Sequence, residues 1–232
     1  MRGIPPRSYN AAVQIRLGRH SLVLLMPFFI SFCSSPARGI IVLCAGDSIT
    51  AAAYPHFLQR MFNREGIRCR VLNYGRSGFS SGEYRRFLEK SGERLKQERP
   101  DCILLQLGTN DVRVDGDHAA TDEFVANMEA LLGIFRGFRD RAGHPSRVLL
   151  ATIPPIPEDT PLPFSPESSR RVAAEINPAI RAIAAAHGLP LVDNYAQFAG
   201  RPELLPGVHP SREGYLRIAE SWFGVLKPLI KR

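Results

Sequence analysis

Cysteine is scarce in this sequence: four in 232 residues, at positions 33, 44, 69 and 102. The four share no metal-ligand spacing and are too few to staple a small fold. Three of them lie inside or beside apolar runs, where cysteine behaves as a small buried hydrophobe. No apolar run reaches the roughly 20 residues that a membrane-spanning helix needs. The 19 glycines and 19 prolines form no repeat, which excludes collagen-like and low-complexity chains. Acidic residues are missing from the first 37 positions, where Arg2, Arg7, Arg16 and Arg19 occur. That stretch carries half of the formal charge of +8 and leaves +4 on everything after it. Such a mild, dispersed excess gives no reason to expect a nucleic-acid partner.

What is present has the balance of a soluble globular protein, with 44% hydrophobic and 22% charged residues. The four arginines precede an apolar stretch at 22–33, broken by Pro27 and followed by the small residues Ser35 and Ala37. A basic start, a short apolar centre and a small-residue site have the layout of a secretory signal peptide. Residues 1–37 are therefore expected to direct export to the periplasm or the medium, and 38–232 to form one domain. A start at Met26 would instead leave the chain in the cytoplasm.

From residue 39 onward, short apolar runs alternate with longer amphipathic ones. The runs at 39–45, 69–73, 102–107, 147–152 and 189–193 read as strands, the first and third as strands buried on both faces. Between and after them, 55–63, 81–98, 121–141, 167–187 and 211–229 read as helices, the fourth with a kink at Pro178. Strands alternating with crossover helices make a parallel sheet covered on both faces. Ligands of such sheets bind beyond the carboxyl ends of the strands, where strand order reverses.

Four groups of polar and small residues fall at those ends. They are Gly46-Asp47-Ser48-Ile49-Thr50, the stretch from Asn73 to Gly78, Gly108-Thr109-Asn110-Asp111, and Gly207-Val208-His209-Pro210 before the last helix. Each alone is also a good turn or helix cap. Together, and in this order, they can perform acyl transfer. Ser48 needs a base to act as a nucleophile, and His209 supplies an imidazole, a group that ordinarily titrates near pH 6.5. An oxyanion needs donors fixed in advance, and the amides of Ser48 and Gly78 with the side chain of Asn110 provide them. A lipase-type Gly-x-Ser-x-Gly elbow is missing.

These blocks resemble the four signature blocks of the SGNH hydrolases, also called GDSL esterases and lipases. The resemblance runs through residues 46–210 and, by the alternating pattern, through nearly all of 39–232. It implies a flavodoxin-like α/β fold, a three-layer sandwich with a five-stranded parallel sheet of order 2-1-3-4-5. It implies Ser48 as nucleophile, His209 as base and Ser48, Gly78 and Asn110 as the oxyanion hole, with no metal and no organic cofactor. Asp47, Asp111, Ile156 and Val208 are then expected to border the substrate pocket, with Leu162 and Phe164 of the proline-rich loop 154–166 as further candidates.

One position departs from the family. An aspartate usually stands three residues before the histidine and orients its ring, and here that residue is Pro206. Glu203 and, second, Asp193 are the acids that could replace it; a Ser48–His209 dyad with the ring held by a backbone carbonyl is the alternative. The expected activity is hydrolysis of carboxylic esters with short acyl or acetyl groups on a small molecule, carbohydrate or lipid. A lysophospholipase or thioesterase is the variant on the same fold. A catalytically weak module that binds glycan or lipid is the reading that Pro206 favours.

Overall fold

The apolar runs form one parallel sheet whose two faces receive alternate side chains. The computed structural model describes residues 39–115 and 119–230. The signal-peptide expectation for 1–37 lies outside the described residues. Strands β1 (Ile40–Gly46), β2 (Cys69–Gly75), β3 (Cys102–Gln106), β4 (Arg147–Ala151) and β5 (Leu191–Val192) pair in the order β2-β1-β3-β4-β5. All four pairings are parallel, and the order is the one the resemblance implies.

Successive residues of a strand point to opposite faces. Val42 and Cys44 of β1 accordingly join a cluster with α2 (Tyr54–Arg64), α7 (Asn194–Phe198) and α8 (Arg212–Ile230), in which Phe62 and Trp222 are fully buried. Leu43 and Ala45 join a second cluster with α3 (Ser81–Lys96), α4 (Thr121–Phe135) and α6 (Asn177–Ala186). Helices thus cover both faces, in three layers. Among the described residues no helix is long and apolar enough to cross a membrane.

Two helices differ from expectation for definable reasons. The helix expected over 121–141 ends at Phe135. Phe138 stays buried through a turn instead, and in the turn that follows the Asp140 carboxylate accepts from the amides of Ala142 at 2.6 Å and His144 at 3.0 Å. The helix expected over 167–187 divides into α5 (Pro166–Arg171), a π-type turn (Val172–Ile176) and α6. Pro178 has no N–H to donate, and the π-type turn moves it into the first turn of α6, where none is required. Asn177 in the same turn brackets Ile153, accepting from its amide at 2.9 Å and donating to its carbonyl at 3.0 Å. That bond pair fixes the start of the proline-rich loop.

Candidate active site

Strand order reverses beside β1, so the chain leaves β1, β2 and β3 at one edge of the sheet. After β1 the backbone turns at once into a single helical turn, α1 (Ser48–Ala51). Gly46 and Gly75 are register partners on neighbouring strands, and this turn rests on both. A Cβ on Gly46 would lie 2.2 Å from Thr50 Oγ1, and one on Gly75 would lie 2.1 Å from the Ala51 amide nitrogen. Only glycine permits that approach. Asp47 caps the turn, its Oδ1 accepting from the Ile49 amide at 2.9 Å. Ser48 is therefore the first residue of a helical turn seated on the strand ends.

His209 arrives from the far end of the chain on the loop before α8. The Ser211 amide closes this loop by donating to the Leu204 carbonyl at 2.9 Å. Gly214 lets α8 press against it, since a Cβ there would lie 2.3 Å from the same carbonyl oxygen. The result is a hydrogen bond of 2.8 Å between Ser48 Oγ and His209 Nε2.

Gly78 follows β2 and has φ +81°, in the left-handed region that favours glycine. A Cβ at Gly78 would meet nothing within 4 Å. Backbone conformation, rather than crowding, thus calls for glycine here. Asn110 opens a short 3₁₀ turn after β3 (Asn110–Val112) and is 6% exposed. Its Nδ2 donates to the Phe79 carbonyl at 3.0 Å, which uses one of the two amide hydrogens and leaves the other. Ser48, Gly78, Asn110 and His209 line one cleft of about 500 Å³.

The expected pocket residues fare unequally. Val208 lines the cleft, as does Phe164 of the proline-rich loop. Asp47, Asp111 and Ile156 do not, a correction to the expectation. Ile156 is buried in the core cluster beside α3 and α4, and Leu162 is 81% exposed. Asp47 and Asp111 are fully buried beneath the site. Burial pushes the Asp47 carboxyl up to about 6 against the opposing Ile49 hydrogen bond, and the nearby Asp111 adds to the rise. Burial likewise pushes Asp111 up to about 6, opposed by its bonds from Ser81.

Neither acid considered for orienting His209 is bonded to it. Glu203 is exposed on a 3₁₀ turn (Pro202–Leu204) and forms no hydrogen bond or ion pair among the described residues. Asp193 is engaged elsewhere, accepting from Thr152 Oγ1 at 2.9 Å, from Arg181 at 2.7 Å and from the Ala196 amide at 3.2 Å. Pro206 is exposed.

Ala51, Ala52, Ser77 and Tyr215 also line the cleft, and sequence reasoning missed them as site residues. Tyr215 had the spacing of a core residue in α8 and is indeed 9% exposed, so burial and lining coincide in one side chain. The signal for Ala51 and Ala52 was their position one turn beyond Ser48. Among the described residues, no three His, Cys, Asp or Glu side chains gather as a metal centre requires.

A parallel sheet of this order, with a serine and a histidine in contact at its switch point, has the build of a serine hydrolase on a flavodoxin-like sheet. The chain belongs to the GDSL-like lipase/acylhydrolase family, whose model matches residues 44–217. Solved structures share the fold. A lipase/acylhydrolase from Enterococcus faecalis is 23% identical with a TM-score of 0.68, over 82% of this chain and 96% of that one. A carbohydrate acetylesterase family member from Sinorhizobium meliloti is 20% identical with a TM-score of 0.69, over 83% and 100%. A GDSL-like lipase from Bacteroides thetaiotaomicron is 22% identical with a TM-score of 0.63, over 82% and 87%. No curated protein matches the sequence.

Proposed function

We propose that the chain is a serine esterase for short acyl esters, acting through a Ser48–His209 dyad. The observation that carries this reading is the 2.8 Å bond between Ser48 Oγ and His209 Nε2, inside the hydrogen-bonding range that proton transfer requires. Ser48 Oγ attacks the ester carbonyl carbon as its proton passes to His209 Nε2. The negative charge that develops on the carbonyl oxygen is met by the amides of Ser48 and Gly78 and by Asn110 Nδ2. Collapse breaks the carbon–oxygen bond to the alcohol, which leaves with the proton from His209. Water then repeats the sequence on the acyl-enzyme and releases the acid.

The dyad form follows from Pro206, Glu203 and Asp193, none of which offers a carboxylate to the ring. Loss of the orienting acid in a serine protease costs about 10⁴ in turnover yet leaves catalysis measurable, so a dyad is a slower enzyme rather than an inert one. Short acyl groups are favoured because Phe164, tied into its surroundings, walls the cleft. The Sinorhizobium meliloti neighbour, a carbohydrate acetylesterase family member, makes acetylated carbohydrate the first substrate class to assay. Export is part of the same proposal, resting on the layout of residues 1–37.

Labelling with a fluorophosphonate tests the reading, because only an activated serine reacts quickly. Wild type should label and hydrolyse nitrophenyl acetate, and Ser48→Ala should do neither. Absence of labelling in wild type would favour the weak binding module instead. Preference for palmitoyl over acetyl esters, or for thioesters, would shift the substrate to the lysophospholipase or thioesterase variant.

A further inference from the structure

Two of the three proposed oxyanion donors come from different strand ends, and something must fix the distance between them. Gly78 follows β2, and Asn110 follows β3. Three residues beyond Gly78, Ser81 begins α3. Its amide donates to both carboxylate oxygens of Asp111, at 3.1 and 3.0 Å, and its hydroxyl donates to Asp111 Oδ1 at 2.5 Å. Asn127 on α4 completes the hydroxyl's bonding, donating from Nδ2 to Ser81 Oγ at 3.1 Å. Beside this contact runs the bond from Asn110 Nδ2 to the Phe79 carbonyl. On its other side the Asp111 backbone is held too. Arg171 donates to the Asp111 carbonyl at 3.2 Å and to that of Ala119 at 2.5 Å, while its Nε pairs with Glu175 at 3.0 Å.

The chemistry of the contact is specific to a carboxylate. Ser81 presents two donors to one side chain, and its amide is among those that a helix N-terminus leaves without an intrahelical partner. Two acceptor oxygens satisfy both, and negative charge is favourable at that end of a helix. An amide of the same shape would offer one acceptor and would set its own N–H group against a donor. Asp111 makes no contact with the cleft, so its influence passes through Ser81 and Asn110.

We infer that Asp111 is a positioning residue, clamping the Gly78 loop to the Asn110 turn so that both donors address the same oxyanion. The inference rests on the ester-hydrolase reading above. A catalytic group displaced by about 1 Å loses on the order of 10²-fold in rate, and losing one oxyanion donor costs about 10²–10³ in kcat.

The test compares wild type with Asp111→Asn and Ser81→Ala on nitrophenyl acetate, and measures inhibition by a short alkylboronic acid. The boronate bonds to Ser48 Oγ and places an oxygen where the oxyanion would sit. In Asp111→Asn kcat should fall about 30-fold or more, KM should stay within about threefold and the boronate Ki should rise by the same factor as kcat falls. Ser81→Ala keeps the amide bonds to Asp111 and should show the same parallel at about five- to tenfold; it decides the question if Asp111→Asn does not fold. An active wild type whose variants keep full kcat, or lose kcat without a matching rise in Ki, overturns the assignment alone. A wild type that neither hydrolyses ester nor binds boronate overturns both the assignment and the reading beneath it.

Discussion

Ser48 Oγ and His209 Nε2 stand 2.8 Å apart although 161 residues separate them in the chain. Two unrelated devices create this contact. Paired glycines at the ends of β1 and β2 let the Ser48 turn settle on the sheet. A closed loop, pinned between Leu204 and Ser211, delivers the histidine to it.

His209→Ala removes the only group hydrogen-bonded to Ser48 Oγ among the described residues. It should lower kcat on nitrophenyl acetate by about 10⁴-fold or more while leaving the melting temperature within a few degrees, since His209 is exposed. Steady-state kinetics with a thermal melt would check it. Hydrolysis within tenfold of wild type would sink the dyad.

Pro206 offers a gain rather than a loss. It is exposed, and it stands three residues before His209, where the family usually carries aspartate. Pro206→Asp should therefore supply a carboxylate to the free side of the imidazole and raise kcat/KM by about tenfold or more, with about 10⁴ as the ceiling. Unchanged or reduced kcat/KM in a folded variant would mean that the ring is already held by another group.

The four residues that meet in the cleft were legible because a parallel sheet gathers strand ends, and the strands announce themselves as unbroken apolar runs such as Cys102–Gln106. Once those ends were located, Ser48, Gly78, Asn110 and His209 had to share an edge. Side-chain direction was not legible in the same way. Asp47 and Asp111 adjoin Ser48 and Asn110 in sequence, but neighbouring residues point apart, so both carboxylates turn under the site instead of into it. The lack of an acid on His209 was unreadable for a different reason: Glu203 is near in sequence, yet nearness along an irregular loop fixes no direction. Helix ends suffered where apolar spacing continued past the helix, as Phe138 does beyond Phe135.

Phe164 should set the acyl-length limit. It is 7% exposed while lining the cleft, and its segment is fastened on both sides. The Val114 amide donates to the Pro163 carbonyl at 2.8 Å, and Ser168 Oγ donates to the Val112 carbonyl at 2.6 Å. A wall tied in this way does not swing aside for a longer chain. Phe164→Val should raise the ratio of kcat/KM for hexanoate over acetate esters by about tenfold, since each buried methylene is worth about 0.8 kcal/mol. An unaltered acyl-length profile would place the acyl group on the other side of the cleft.

Asp47 makes a prediction about stability that separates charge from shape. Its Oδ1 caps the Ser48 turn, its Oδ2 makes no hydrogen bond of normal geometry, and burial pushes its carboxyl from 3.8 up to about 6 against the opposing Ile49 amide and Thr109 hydroxyl. Between those values the folded chain holds a proton that the unfolded chain has released, so stability falls as pH rises. The contribution is fully present below about pH 4 and is lost once pH passes about 6; at neutral pH the turn carries a buried charge. Asp47→Asn keeps an equally good helix cap and removes that charge. The variant should match wild type near pH 4 and exceed it at pH 7.5 by on the order of 2–3 kcal/mol, or roughly 5–10 °C in melting temperature. Denaturant unfolding at both pH values would show this. A variant less stable than wild type at pH 7.5 would mean that the ionised carboxylate is satisfied in the folded chain, and that its charge supports the turn beneath Ser48.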